Sequence, residues 1–548
     1  MIKKIILFML FGYSISSYAA DPVTDFGEKF LEDQEIQRQI ELLEKKQLEV
    51  KKPQKEEKLP VELACFNIHT IKLKGNSLLS RNEVEMVVTP YKNKCLGKDG
   101  VNQLMSKLTS LYIDKGFITT RVYVPPQDLK TGILELVVIE GVLENFSINN
   151  NSSEDRRKLW WAMPPQRGHY LSIGEIEQGI DQINKVPSAN AKMKLWPGTI
   201  AGETHIQVLN TVDDEFRGNI EWNNEGQANT GKHKLRFGME ADNILGINDT
   251  WGFNFIGSKD TNALTLNNAF PFRNWTFNAS HSYSEYLSIL PGNTDLFGQS
   301  NTSTIGSSYL LHRNGKRKIN WLANLTVRRS ERRLLGVELE PQKLVPVRTA
   351  VNISENLPWG FYSFEAGVVY GTKLFGASED PSKAAKDIPK AQFTKIDGRF
   401  TLVMPTPWVS YQTTLAFQQS DDLLYSSEQI HIGDKTTVRG FETTAASGEK
   451  GFYWRNDFNL SSYTVIRKMG LTEAAPWLRY GSIFTFIDFG WVEPRLENRG
   501  DRAAGTGLGL RINYKDVSTS IIWSKAIETP EKENSTEAIY ASLQIKVF

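Results

Sequence analysis

The sequence predicts a transmembrane antiparallel β-barrel of about 16 strands, preceded by an N-terminal α-helix and two small α+β domains. Three observations carry that prediction. From Glu215 to Phe548 the chain runs in alternating apolar and polar stretches separated by turn residues, the pattern of membrane-crossing strands. Residues 1–20 have the form of an export signal. Between these regions, residues 65–141 and 142–212 repeat one order of strands and helices, which suggests tandem modules.

Composition narrows the classes. The chain has 548 residues and a formal net charge of +1, enough length for several domains and no basic excess to favour nucleic acid. Charged residues make up 23% of it, and no internal run approaches the roughly 18 apolar residues of a spanning helix. Such a chain is soluble or crosses a membrane by strands.

The elements follow in order. MIKKIILFMLFGYSISSYAA has a basic start at Lys3 and Lys4, an apolar run from Ile5 to Phe11, and small residues at its end. Cleavage after Ala19 is the first choice and after Ala20 the second; the alternative is a buried N-terminal helix. In residues 21–50, Phe26, Phe30, Ile36, Ile40 and Leu43 fall at helical spacing among Glu, Gln, Lys and Arg. That stripe is too thin for the core of a large domain. Residues 51–64, beginning KKPQKEEKLP, read as an extended linker.

In residues 65–141, FNIHTIKLKG reads as a strand, Ser80 with Glu83 as a capping box, and Leu104, Leu108, Leu111 and Tyr112 as one face of a second helix ending at Gly116. FITTRVYVP and GILELVVIEG complete a β-α-α-β-β order. In residues 142–212, LENFSIN is a strand, Ser172–Asn184 a helix with Ile173, Ile176, Ile180 and Ile183 inward, and AKMKLWPG and THIQVLN two further strands. Two cysteines, Cys65 and Cys95, form an even pair, which in an exported chain reads as a disulfide contributing about 3 kcal/mol.

The barrel occupies residues 213–548, with strands near 216, 232, 250, 262, 274, 303, 317, 346, 361, 392, 408, 452, 482, 504, 517 and 538. KLRFGMEA sets Leu235, Phe237, Met239 and Ala241 against Lys234, Arg236, Gly238 and Glu240, and INWLANLTV and GLGLRINY alternate in the same way. Trp251, Phe253, Phe255, Trp275 and Phe277 suit an aromatic girdle. Closure is forced by the bilayer, because every backbone N–H and C=O must be paired there. Leu543, Ile545 and Val547 alternate out of phase with the terminal Phe548. The rival fold is a large soluble β-sandwich.

One loop is unlike an ordinary surface turn. DKTTVRGFETT places Val438, Arg439, Gly440 and Phe441 side by side: a β-branched residue, a cation, a hinge and an aromatic. Some fifty residues later, FTFIDFGWV puts Phe486, Asp488 and Gly490 on one strand face and Ile487, Phe489 and Trp491 on the other. If the aromatics face lipid, Asp488 faces the lumen, where a carboxylate wants a partner. Arg439 could supply a bidentate one if its loop folds back inside. Chemistry alone leaves an unrelated loop arginine and a hydrated acid equally open.

The whole order resembles the outer-membrane transporters of two-partner secretion, the TpsB family (ShlB/FhaC/HecB type) of the BamA-like superfamily. The resemblance runs the length of the chain. It rests on Cys65-Phe66, Pro90-Tyr91, Cys95-Leu96, Tyr112, the run Gly116-Phe117-Ile118-Thr119-Thr120-Arg121, Gln127-Asp128-Leu129, Gly132, Glu140-Gly141, VRGF and FIDFG. It implies a 16-stranded barrel in the outer membrane of a Gram-negative bacterium, a pore-plugging helix at 21–50, and two periplasmic POTRA domains at 65–141 and 142–212. It implies an Arg439–Asp488 contact inside the lumen, no cofactor, no metal and no catalytic residue. The implied partners are outer-membrane lipid and one large secreted exoprotein (TpsA-type: an adhesin, a cytolysin or a haem-acquisition protein), passed unfolded to the surface. The nearest rival function is a β-barrel insertase; a plug helix and two modules argue against it. A passive porin would not need client-binding modules, and the seven histidines show no metal cluster, nor the chain a G-x-S-x-G or P-loop, that would mark an enzyme.

Overall fold

The computed structural model describes residues 64–226, 230–290, 294–381, 387–406, 409–461, 480–496, 499–530 and 537–548. The export signal, the 21–50 helix and the linker through residue 63 lie outside the described residues.

The first α+β domain contains β1 (Phe66–Ile68), β2 (Thr70–Lys74), α1 (Arg81–Val88), β3 (Lys94–Leu96), α2 (Lys98–Asp114), β4 (Arg121–Tyr123) and β5 (Ile133–Ile139). β2, β5 and β4 form a three-stranded sheet, and β1 pairs with β3 alone. FNIHTIKLKG is therefore two strands and not one. The break falls at His69, where both His69 N and Thr70 N donate to Gly132 O and the chain changes partner. α1 starts at a reciprocal capping box between Ser80 and Glu83. Hydrogen bonds from Lys115 and then Ser80 hold the Glu83 carboxyl down at about 2. Leu104, Leu108 and Tyr112 of α2 pack on Leu134, Leu136 and Ile68 in the core. Cys65 is bonded to Cys95, joining the entry of the domain to β3.

The second domain contains β6 (Val142–Ile148), α3 (Ser153–Ala162), α4 (Ile173–Asn184), β7 (Ala189–Pro197) and β8 (Glu203–Val212), with sheet order β6-β8-β7. α3 is a helix that the apolar periodicity did not reveal. Its N-terminal signal was present as Ser152 with Asp155, which form a second capping box.

The barrel closes on itself through β28 and β9. Its first strands are β9 (Phe216–Asn223), β10 (Lys234–Asp242), β11 (Thr250–Gly257), β12 (Thr261–Phe272), β13 (Trp275–Leu290), β14 (Thr294–Arg313) and β15 (Arg317–Leu334). Two short pieces, β16 (Val337–Glu338) and β17 (Gln342–Leu344), extend the ladder on the loop that follows. Then come β18 (Pro346–Leu357), β19 (Gly360–Gly371), β20 (Thr394–Pro405) and β21 (Val409–Ser420). A lumenal hairpin, β22 (Ile430–Ile432) with β23 (Ala446–Gly448), precedes β24 (Lys450–Ser461), β25 (Gly481–Glu493), β26 (Asp501–Tyr514), β27 (Val517–Glu528) and β28 (Glu537–Lys546). Without the short pieces and the hairpin, sixteen strands make the wall. The largest departure in strand position is β14, which starts at Thr294 and not near 303. Its first half, TDLFGQSN, is polar because it extends the ladder past the apolar band, so hydrophobic alternation could not find it.

Leu235, Leu266, Ile305, Ile521 and Ile539 are exposed on the outer face, whereas Arg236, Asn254, Thr265 and Asp488 are buried on the inner side. The phase of the C-terminus has a local cause. Phe548 lies over the bare face of Gly218, where a Cβ would come within 2.6 Å of its ring. Short turns join the strands at the end that meets the second domain, such as Arg273-Asn274 and Lys515-Asp516. Longer connections, among them 421–449, leave the opposite end.

Candidate functional site

The 421–449 loop turns back into the barrel. At its tip the Asp434 carboxylate accepts from the backbone of Thr436 at 2.7 Å and Thr437 at 2.8 Å, a side-chain-closed turn. That turn presents Val438, Arg439, Gly440 and Phe441 to the wall formed by β24–β28. Arg439 is fully buried. Its Nε donates to Asp488 Oδ2 at 2.7 Å and its Nη2 to Asp488 Oδ1 at 2.8 Å, a bidentate fork. The Arg439 backbone N–H adds a third bond to Asp488 at 3.1 Å. Nη1 donates to a second carboxylate, Asp457 of β24, at 2.6 Å. The guanidinium lies 3.7 Å from the centre of the Phe486 ring.

The wall residues fit this tip for definite reasons. On β25, Ile487 and Phe489 face outward and Phe486, Asp488 and Gly490 inward, by the period-two alternation of a strand. A side chain at Gly490 would come within 2.8 Å of both Ile432 and Val438, so the bare backbone there makes room for the loop. At Gly505 of β26 a Cβ would sit 1.6 Å from the Arg439 carbonyl oxygen. Gly440 has φ +123° and packs its backbone on Ala526 of β27. Phe441 and Val438 fill a buried cluster with Ile432, Val492, Ala503 and Ala526. The Tyr540 hydroxyl of β28 accepts from Gly440 N at 3.3 Å and donates to Phe441 O. The β24–β25 ladder skips Arg455 and Asn456, and Asn456 N–H donates instead to Asp488 at 3.3 Å.

A second anchor holds the base of the loop. Glu428 is buried and pairs with Arg328 of β15 at 2.6 Å and with Lys395 of β20 at 2.9 Å. Its carbonyl also accepts from Lys395 Nζ and Gln418 Nε2, both at 2.9 Å. Sequence reasoning missed this anchor, and it missed Asp457. Asp457 could have been found, since it shares the polar face of β24 with Arg455 opposite Phe452, Trp454 and Phe458. Glu428 carried no local signal, because its partners stand on distant strands and Arg328 lies in the charged run RRSERRL. Two further ion pairs tie the tip to the β9–β10 end, Lys435 with Glu225 and Lys232 with Glu442. The charges on the polar face of KLRFGMEA have partners on the wall: Arg236 with Glu221, Glu240 with Arg217, and Lys234 with the Glu225 carbonyl.

The other singled-out residues lie at the joint between the two α+β domains. Gly116 (φ +95°) ends α2, and its carbonyl accepts from Ile173 N of α4 at 2.9 Å. Phe117 packs on the core of the first domain and Ile118 on that of the second, so neighbouring residues stitch the two together. Thr120 Oγ1 accepts from Gly141 N at 3.2 Å, and Thr119 occupies the space a side chain at Gly141 would need. Arg121 donates to the carbonyls of Ile118 and Thr120 at 2.7 and 2.8 Å, fixing the turn into β4.

A lipid-facing barrel with its own loop clamped inside its lumen, and with small domains docked at its turn side, defines the class: an outer-membrane transporter. Comparison with known proteins agrees. Residues 202–512 match the haemolysin secretion/activation protein family ShlB/FhaC/HecB, residues 66–141 the ShlB-type POTRA domain, and residues 142–197 a POTRA domain. The outer membrane transporter CdiB of Dickeya dadantii (strain 3937) is 30% identical over 483 residues, 84% of each chain. The hemolysin transporter protein ShlB of Serratia marcescens is 28% identical, covering 85% of this chain and 83% of its own. The solved structure of CdiB from Escherichia coli superposes with a TM-score of 0.86 at 24% identity, covering 97% of this chain and 100% of that one, which shows the shared fold. The chain belongs to the haemolysin secretion/activation (ShlB/FhaC/HecB) family, and it is an outer-membrane transporter of two-partner secretion.

Proposed function

We propose that this chain passes one large exoprotein, in extended form, from its POTRA domains through the barrel, and that release of the 421–449 loop opens the way. The observation that carries this reading is the burial of Arg439 between Asp488 and Asp457. A loop fixed in the lumen by charge obstructs passage until those charges are met by something else. The POTRA sheets offer edge strands on which an extended client can add by backbone pairing, with little demand on its sequence. The segment 21–50 is the second obstruction in this reading, a helix that withdraws on its 51–64 tether. The relatives' names point to exoproteins of the hemolysin and heme/hemopexin kinds as the client class.

The test is mass spectrometry of medium and cell surface with the gene present and deleted. Loss of one large protein from the outside supports a dedicated exporter and names the client. Loss of many outer-membrane barrels would turn the reading to an insertase. Unchanged pore conductance after deletion of residues 21–50 would remove the plug from the scheme.

A further inference from the structure

We propose that helix α3 of the second POTRA domain is a membrane anchor, seating Trp160 and the Arg273 guanidinium against the phospholipid headgroups of the periplasmic leaflet. Phe270 and Phe272 of β12, Trp275 and Phe277 of β13, Tyr309 of β14 and Trp321 of β15 lie in register on the outward, lipid-facing side at the turn end. Their rings touch in a band, Trp275 with Phe277 at 5.7 Å, Tyr309 at 4.6 Å and Trp321 at 6.1 Å. Bands of this kind mark the level of the headgroups.

The band continues into the POTRA domain. Trp161 of α3 meets Phe272 at 5.3 Å and Phe270 at 6.1 Å, and Trp160 meets Phe272 at 5.7 Å. α3 thus rests against the outer surface of the wall and not across the lumen. Its seat is fixed by hydrogen bonds to backbone carbonyls: Arg273 N to Trp161 O at 2.7 Å, Arg157 Nε to Gly246 O at 3.0 Å, and Asn248 Nδ2 to Lys158 O at 2.8 Å. α4 is held at the same rim, with Gln182 donating to Arg273 O and Arg313 pairing with Asp181, each at 2.7 Å.

What this docking leaves uncovered is apolar and cationic. Trp160 is 55% exposed, and Ile244 and Leu245, on the turn that α3 contacts, are 56% and 52% exposed. Arg273 lies over both Trp160 and Phe272, 5.5 and 5.6 Å from the ring centres. An exposed tryptophan continuous with a lipid-facing girdle, beside a stacked guanidinium, matches a surface that is apolar below and phosphodiester above. The occupant is therefore the leaflet itself.

The test uses the full chain reconstituted in phosphatidylethanolamine–phosphatidylglycerol liposomes. Trp160→Cys carries a nitroxide, and collision with oxygen is compared with collision with a water-soluble nickel chelate. Ile305→Cys gives the lipid reference and Asn82→Cys, in the first domain, the aqueous one. A ratio at 160 close to that at 305 is expected; a ratio equal to that at 82 overturns the anchor. If Trp160→Cys does not yield a folded barrel, Leu245→Cys takes the same measurement with the same two outcomes. For the headgroup contact, Arg273→Gln should bind added phosphatidylglycerol about five-fold more weakly by native mass spectrometry. Equal retention by the variant and the unaltered chain would remove Arg273 from the site.

Discussion

The inward loop is held at two places, and the two are electrostatic opposites. At the tip the loop contributes the cation, Arg439, and the wall contributes Asp488 and Asp457. At the base the loop contributes the anion, Glu428, and the wall contributes Arg328 and Lys395. A lumen of uniform potential would attract one anchor and repel the other. The loop is therefore positioned by specific pairs and not by the general charge of the pore. In both anchors the loop supplies the minority charge between two like charges of the wall. Withdrawal of the loop leaves those wall groups facing one another, so departure is costly until water or a client's own charges replace it.

The largest effect is expected of Arg439→Ala. It leaves two buried carboxylates without their cation, a loss of about 3–5 kcal/mol from the closed loop. Hydrogen exchange of the 438–441 amides should accelerate by at least about 100-fold, while the Glu428 end keeps its protection. If both ends open together, the loop is one cooperative unit and the two-anchor description is wrong. Arg439→Glu combined with Asp488→Arg should recover part of the protection lost in either single variant. Recovery stays partial because the carboxylate introduced on the loop then faces Asp457.

Glu428→Gln comes next. The amide keeps one acceptor for Arg328, and the residue's carbonyl still takes Lys395, so the expected cost is about 1.5–3 kcal/mol. Exchange should rise near 426–432 and much less at 438–441. A loss as large as that of Arg439→Ala would mean that the base, and not the tip, carries the closure.

Gly505→Ala separates fit from charge. It removes no ionic group, but its methyl would collide with the Arg439 backbone carbonyl, at an expected cost of about 1–3 kcal/mol. Trypsin cleavage at Lys435 in the reconstituted protein should report the displaced tip. Unchanged cleavage would show that the wall can yield there.

The barrel was legible because lipid on one side and water on the other impose period two on every crossing strand; only polar extensions such as the first half of β14 escaped. α3 escaped for a related reason. Leu159, Trp160 and Trp161 are its only large apolar side chains and stand consecutively, so they make no helical stripe: Leu159 and Ala162 enter the domain's core, while both tryptophans turn to the barrel's outer rim. VRGF in the loop and FIDFG on β25 are local clusters whose composition is odd for a turn and for a lipid-facing strand. Glu428, Arg328 and Lys395 are each ordinary charged residues until the topology places three separate segments together. Sequence reasoning reaches a site when its chemistry is concentrated in one segment, and loses it when the chemistry is divided among several.

The mildest change bears on how the tip is shared among strands. Tyr540 of β28 bridges Gly440 N and Phe441 O, while the charges of the tip fall on β24 and β25. Tyr540→Phe keeps the ring against Ile522, Ala538, Phe484 and Phe486 and removes only the hydroxyl. The expected loss is about 1 kcal/mol, roughly five-fold faster exchange at 440 and 441 with the charged contacts intact. β28 is also the strand that closes the barrel onto β9, through the short register Ser542–Lys546. If Tyr540→Phe raises exchange along that register as well as at the loop, the tip braces the closure of the wall, and opening the gate loosens the barrel. If exchange rises at the loop alone, the tip moves against a wall that stays shut.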